Sequence, residues 1–127
     1  MVDRRTISSG SPYEPVAGFS RAVRVGGHVH VSGTAPVMPD GAPPPDDPYA
    51  QARRCLEIIV AALAEAGAGP EDVVRTRMFV TSPEHWDAVA RAHGELFGTI
   101  RPAATCVVTQ LLDPRWLVEI EAEAILP

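Results

Sequence analysis

From Val118 to Ala124 the chain alternates apolar and acidic residues without a break, in the stretch LVEIEAEAIL. Successive side chains of a strand point to opposite faces of a sheet. A period of two therefore puts Val118, Ile120, Ala122 and Ala124 on one face and Glu119, Glu121 and Glu123 on the other. The apolar face demands a cover, and the acidic face demands water or cations. Both demands are answered upstream.

Two segments have the helical period that a cover needs. The first starts with Asp47 as N-cap and Pro48 just inside, and its apolar residues Ala52, Leu56, Ile59, Val60 and Leu63 recur at three and four. It stops at GAGP, 67–70, where Gly67 can take a left-handed conformation. The second runs from about Pro83 to Phe97, capped by Ser82, with Trp86, Val89, His93 and Phe97 along one stripe. Between them, residues 73–81 read as a strand, with Val74, Met78 and Val80 on one face and Arg75, Arg77 and Phe79 on the other. If that strand pairs with the last one, cross-strand ion pairs form. A face mixing arginines, glutamates and Phe79 reads as a wet interface between protomers rather than as plain solvated surface.

Residues 19–25 and 28–32 flank Gly26-Gly27 and form a hairpin, with Val29 and Val31 on one side and His28 and His30 on the other. Residues 33–48, rich in Gly, Pro and Asp, form a loop whose proline-rich end (43–48) is a stiff surface connection. The remaining strands span 102–110 and 116–126, joined across Asp113-Pro114. The order β(β)β-α-β-α-β-β gives two helices and five or six strands. Helices on one face of an antiparallel or mixed sheet is the economical packing, an α+β fold.

At 127 residues the chain is expected to be one domain, 1–127, small enough that oligomerisation would help it. Hydrophobic content of 46% and charged content of 21% indicate a globular chain. A net charge of −5 argues against a nucleic-acid partner, which needs clustered cations. All eleven basic residues are arginine, so lysine Schiff-base chemistry and a Walker-type phosphate loop are excluded. Residues 1–20 hold no signal-peptide core, and the apolar-rich run 55–66 is too short for a bilayer. Cys55 and Cys106 sit in unlike contexts, one helical and one in a strand. A reduced cytoplasmic protein without a disulfide or membrane association is expected.

The strand opening RPAATCVV, 101–108, is unusual in carrying two alanines where bulkier residues would bury more surface. Ala104 and Cys106 share strand parity and face the same space. Arg101, three residues from Ala104, is expected on the opposite face, in an ion pair. His28 and His30 have an i, i+2 spacing that can bind zinc if further ligands converge, but no third ligand is indicated.

The ordered set of segments resembles the RidA (YjgF/YER057c/UK114) family: VSGTAP at 31–36, QARRCLEIIVAALAEAG, DVVRTRMFVTSPEHWDAV and RPAATCVVTQLLDPRWLVEIEAEAIL, spanning residues 6 to 126. The resemblance implies a chorismate-mutase-like α+β fold, a homotrimer with small-ligand clefts between subunits, and no metal or organic cofactor. The best-studied branch hydrolyses enamines and imines such as 2-aminoacrylate. In that branch an arginine follows the Pro-Ala step; here Ala104 stands there, so the clamp for a substrate carboxylate is missing. Arg101 and Arg115 are the alternative donors.

Residue by residue, the resemblance makes Glu119 the general acid/base. It makes Gly33 a backbone contact to ligand, and puts Phe19 where relatives carry tyrosine. Cys106 matches a cysteine frequent in the family and reads as a small buried hydrophobe, since thiolate chemistry needs a nearby base. Two functions stay open: a hydrolase of small reactive imines with weak 2-aminoacrylate activity, and a non-catalytic trimer that binds a small ligand or protein. Ribonuclease activity, attached to some relatives, ranks last.

Overall fold

A computed structural model describes residues 3–127; residues 1 and 2 of the expected domain lie outside the described residues. In chain order the elements are β1 (Arg4–Ile7), α1 (Glu14–Ala17), β2 (Ala22–Val25), β3 (His28–Thr34), α2 (Pro48–Glu65), β4 (Val73–Val80), α3 (Trp86–Phe97), β5 (Ala103–Val108) and β6 (Val118–Ile125). All six strands join one mixed sheet of order β1-β2-β3-β6-β4-β5. The alternating segment is thus an inner strand, antiparallel to both β3 and β4.

The topology explains why both helices lie on one face. β3 and β4 flank β6 and run parallel to each other, joined through α2; β4 and β5 pair in parallel, joined through α3. Both crossovers step the same way across the sheet. With the right-handed sense that such connections take, they land on the same side. α2 packs on β3, β6 and α3, and it buries Cys55, Ile59, Ala62 and Leu63. Val89, Ala92 and Phe97 of α3 belong to the same buried core as Met78, Val80, Val118 and Ile120.

The expected signals at α2 hold. Asp47 Oδ2 accepts a hydrogen bond from the Ala50 amide at 2.8 Å, and Gly67 is left-handed at φ 85° just past the end. At the N-terminus of α3, Ser82 Oγ accepts from the Glu84 amide, but Pro83–His85 form a 3₁₀ turn and the α-helix starts at Trp86. Trp86, the first residue of that helix, is 43% exposed although it shares the stripe of Val89 and Phe97, because it stands at the helix end. Val60 is only half-buried, at the margin of α2.

Val74 also departs from expectation. The register shifts between Val73 and Arg75, so Val73 is buried and Val74 is 43% exposed. A bulge inserts one residue and breaks the two-residue period there. β5 is shorter than expected, and as an edge strand it leaves all its residues exposed except Cys106, which is half-buried. On the sheet face away from the helices, Arg77 bridges Glu121 at 3.1 Å and Glu123 at 3.0 Å, as cross-strand pairing predicts. Arg75 instead donates to Thr105 Oγ1 at 2.7 Å.

Candidate functional site

One corner of the helix-free face gathers the residues with the most chemistry, and the short elements before β2 build it. The amide and hydroxyl of Ser9 and the hydroxyl of Ser8 donate to the Glu14 carboxylate, fixing the start of α1. Left-handed Gly18 ends that helix and turns Phe19, 39% exposed, toward β2. The Arg21 amide donates to Ile7 O at 2.8 Å and its carbonyl accepts from the Ser32 amide at 2.9 Å, so Arg21 extends the β2 ladder by one residue.

Opposite Arg21, β3 is bulged. Val31 faces Ala122 and Thr34 faces Ile120, leaving Ser32 and Gly33 together against Glu121. Arg21 Nη1 donates to Gly33 O at 3.2 Å and to Thr34 Oγ1 at 2.8 Å, while the Thr34 hydroxyl donates to Ser32 O at 2.8 Å. The bulge is thus held by a side chain from the neighbouring strand.

Glu119 lies over this bulge. A Cβ on Gly33 would stand 2.5 Å from Glu119 Oε2, so the carboxylate occupies space that only glycine leaves open. Burial pushes the Glu119 carboxyl above the usual carboxylate range, the negative Glu121 adds to this, and Arg21 opposes it. Glu121 and Glu123 are both held by Arg77; among the described residues Glu119 has no ion-pair partner. A half-buried, unpaired carboxylate with a raised proton affinity is suited to exchanging protons with a ligand or water.

The other expected site residues lie elsewhere. Register pairs Ala104 with Thr76 and Cys106 with Met78, residues of the helix-covered face. Glu119 pairs with Phe79 on the opposite face. Within one chain, therefore, Glu119 with Gly33 and Ala104 with Cys106 do not form one pocket. Burial pushes the Cys106 thiol up, away from thiolate chemistry. His93 is turned inward on Thr76 Oγ1 at 2.9 Å and stacks on Phe97, a structural role.

Arg101 corrects the parity expectation. It precedes β5 in a left-handed conformation at φ 57°, exposed, with its amide donating to Phe97 O at 2.8 Å, so strand alternation does not govern it. No ion pair of Arg101 is found among the described residues. Arg115 is bound bidentately to Asp113, at 3.1 and 2.7 Å, within its own turn. The imidazoles of His28 and His30 are exposed, opposite Ile125 and Glu123.

Sequence pattern does not single out Arg21, because it stands ahead of the regular alternation of its strand. Its signal is a charged residue flanking the buried Ala22 directly opposite the SG step of β3. Gln51, fully buried in α2, is likewise hidden by being polar. Two open depressions are not lined by Glu119 itself. A groove of about 580 Å³ runs between α2 and α3 beside Leu56, Val60 and Leu96. A hollow of about 210 Å³ lies on the acidic face, beside Val23, His30 and Glu121.

Comparison with known proteins gives consistent matches along nearly the whole chain. The family model described as endoribonuclease L-PSP matches residues 10–126. Rv2704 from Mycobacterium tuberculosis, a member of the YjgF/YER057c/UK114 family, is 46% identical, with a TM-score of 0.88 over 98% of this chain and 100% of that one. An uncharacterised protein of Streptomyces coelicolor is 44% identical over 94% of this chain and 90% of its own. A RutC-family protein of Pyrococcus abyssi is 32% identical over 87% and 88%.

Proposed function

The chain belongs to the YjgF/YER057c/UK114 (RidA, endoribonuclease L-PSP) family, and from that premise we propose that it hydrolyses small reactive enamines or imines in clefts between the protomers of a homotrimer. The observation that carries this reading is Glu119, a half-buried carboxylate without an ion-pair partner, seated on a bare glycine. The division of Glu119 and Ala104 between two sheet faces supports a shared cleft. A pocket using both takes Glu119 from one protomer and Ala104 with Cys106 from another.

The chemistry asks little of the protein. As water adds to the carbon of a protonated C=N bond, Glu119 accepts the water proton and passes it to nitrogen. As the C–N bond breaks and ammonia leaves, the carbinolamine hydroxyl returns its proton to Glu119, so a carbonyl remains and the departing ammonia carries that proton away as ammonium. Glu119 works as the base only when ionised, so the rate rises with pH through its titration. The midpoint lies above that of an ordinary carboxylate.

No guanidinium stands at Ala104, so a substrate held chiefly by its carboxylate is disfavoured. Pyruvate release from 2-aminoacrylate, generated in situ by a dehydratase, is expected to be weak; rapid release by the pure protein would refute the clamp argument. On any imine that is turned over, Glu119→Gln is expected to lower kcat by roughly 100-fold or more without loss of ligand-induced thermal stabilisation. A Gln variant as fast as the parent removes Glu119 from the chemistry.

A non-catalytic, ligand-binding trimer is the second reading, favoured by the protonated Cys106 thiol and the missing clamp. Metabolites that raise Tm but are not consumed would support it. Ribonuclease activity ranks last, given the acidic sheet face and net charge of −5.

A further inference from the structure

We propose that Arg21 is a positioning residue for Glu119: its guanidinium pins the bulge that carries Gly33 beneath the carboxylate, and its positive charge acts on that carboxylate from the neighbouring strand. The geometry is specific. One nitrogen, Nη1, makes both bulge contacts, to Gly33 O and to the buried Thr34 hydroxyl, while no protein partner of Nε or Nη2 is found among the described residues. Thr34 is fully buried, and the hydroxyl that anchors Arg21 is itself held by its hydrogen bond to Ser32 O. Because the Gly33 Cα forms the floor under Glu119, displacing the bulge displaces that floor.

The charges around Glu119 leave Arg21 as the cation that acts on it. On its own strand Glu121 opposes ionisation; from β4, Arg77 is engaged by Glu121 and Glu123. From α2 the buried Cys55 thiol senses Glu119 but is held neutral by burial. Glu14, following the β1 turn, acts on Arg21 rather than on Glu119. His30 of β3 lies opposite Glu123, and β5 brings only Ala103, Thr105 and Val107 to this face. With Arg21 present, a carboxylate whose proton affinity burial raises is available as a base at lower pH than it otherwise would be.

This inference rests on Glu119 being the group that exchanges the proton, but its test does not need turnover. The Glu119 carboxyl is titrated by ¹³C NMR in the full-length protein and in Arg21→Gln and Arg21→Lys. The Gln variant is expected to titrate at higher pH than the parent, and Lys, which keeps the charge, between the two. A Glu119 midpoint unchanged in Arg21→Gln, or raised as far in Lys as in Gln, overturns the assignment.

If Arg21→Gln does not fold, the parent alone decides. Coupling is reciprocal, so the Arg21 Nε–H resonance must shift with the Glu119 midpoint, and a flat resonance across that transition overturns the proposal. Where an imine substrate exists, the rate lost in Arg21→Gln is recovered by raising pH, which a purely structural defect would not show. A shifted titration without turnover on any imine sustains Arg21 and sinks the hydrolase reading. An unshifted titration in a protein that does turn over sinks Arg21 alone.

Discussion

A methyl group added at Gly33 would meet Glu119 Oε2 at 2.5 Å and Cδ at 3.3 Å. Those atoms end a flexible side chain, and Gly33 does not have a positive φ, so the backbone tolerates alanine and the carboxylate moves instead. Gly33→Ala is therefore expected to change Tm by only a few degrees while displacing Glu119. If Glu119 transfers protons, kcat falls roughly 100-fold, the scale of a misplacement near 1 Å. Loss of folding rather than of rate, seen by near-UV circular dichroism, would mean that the carboxylate is locked in place. At this scale the sequence is legible where a motif marks a position: Gly33 and Glu119 are read from their segments and meet in space. Arg21 is not, because its partners come from a bulge that no local pattern announces. Ala104 is read correctly as facing with Cys106, yet which sheet face they share follows only from pairing with β4.

The elements that sequence reveals best are long and unbroken. α2 is defined by its cap and its period, and β6 by seven alternating residues from Val118 to Ala124. β1 and α1, four residues each, are too short for a period to emerge. The bulges at Val73–Arg75 and Val31–Thr34 defeat a rule that assumes an uninterrupted ladder. Gln51 shows a subtler failure, since a polar residue on the inward side of a helix reads as surface. Its Nε2 donates to Pro45 O at 2.8 Å and Arg115 O at 2.9 Å, and its Oε1 accepts from the Leu117 amide at 2.7 Å. One side chain thus ties the loop before α2 to the turn before β6. Gln51→Leu keeps the volume but strands two carbonyls and an amide in a water-poor site. A loss of roughly 2–4 kcal/mol in unfolding free energy is expected from urea titration, at unchanged m-value. A loss below about 0.5 kcal/mol would show that water replaces the amide there.

On the scale of the molecule, the sheet has one face under α2 and α3 and another that, among the described residues, neither of these helices covers. That second face carries Phe79 half-buried between Glu119 and Val107, and the Arg77 bridge to Glu121 and Glu123. Two environments predict different behaviour for Arg77. On a monomer the bridge is solvent-screened, and Arg77→Ala is nearly silent. Between protomers, the same substitution leaves Glu121 and Glu123 desolvated and facing each other without a cation, which opposes association. The proposed homotrimer predicts a solution mass three times the 13.5 kDa of the chain by light scattering, falling toward one chain in Arg77→Ala. If the proposed cleft joins Glu119 of one protomer to Ala104 of another, ligand-induced stabilisation must disappear with the trimer. A parent protein that is monomeric at micromolar concentration and still binds its ligand would place the site within one chain. It would also sever Glu119 from Ala104, since the sheet itself stands between them.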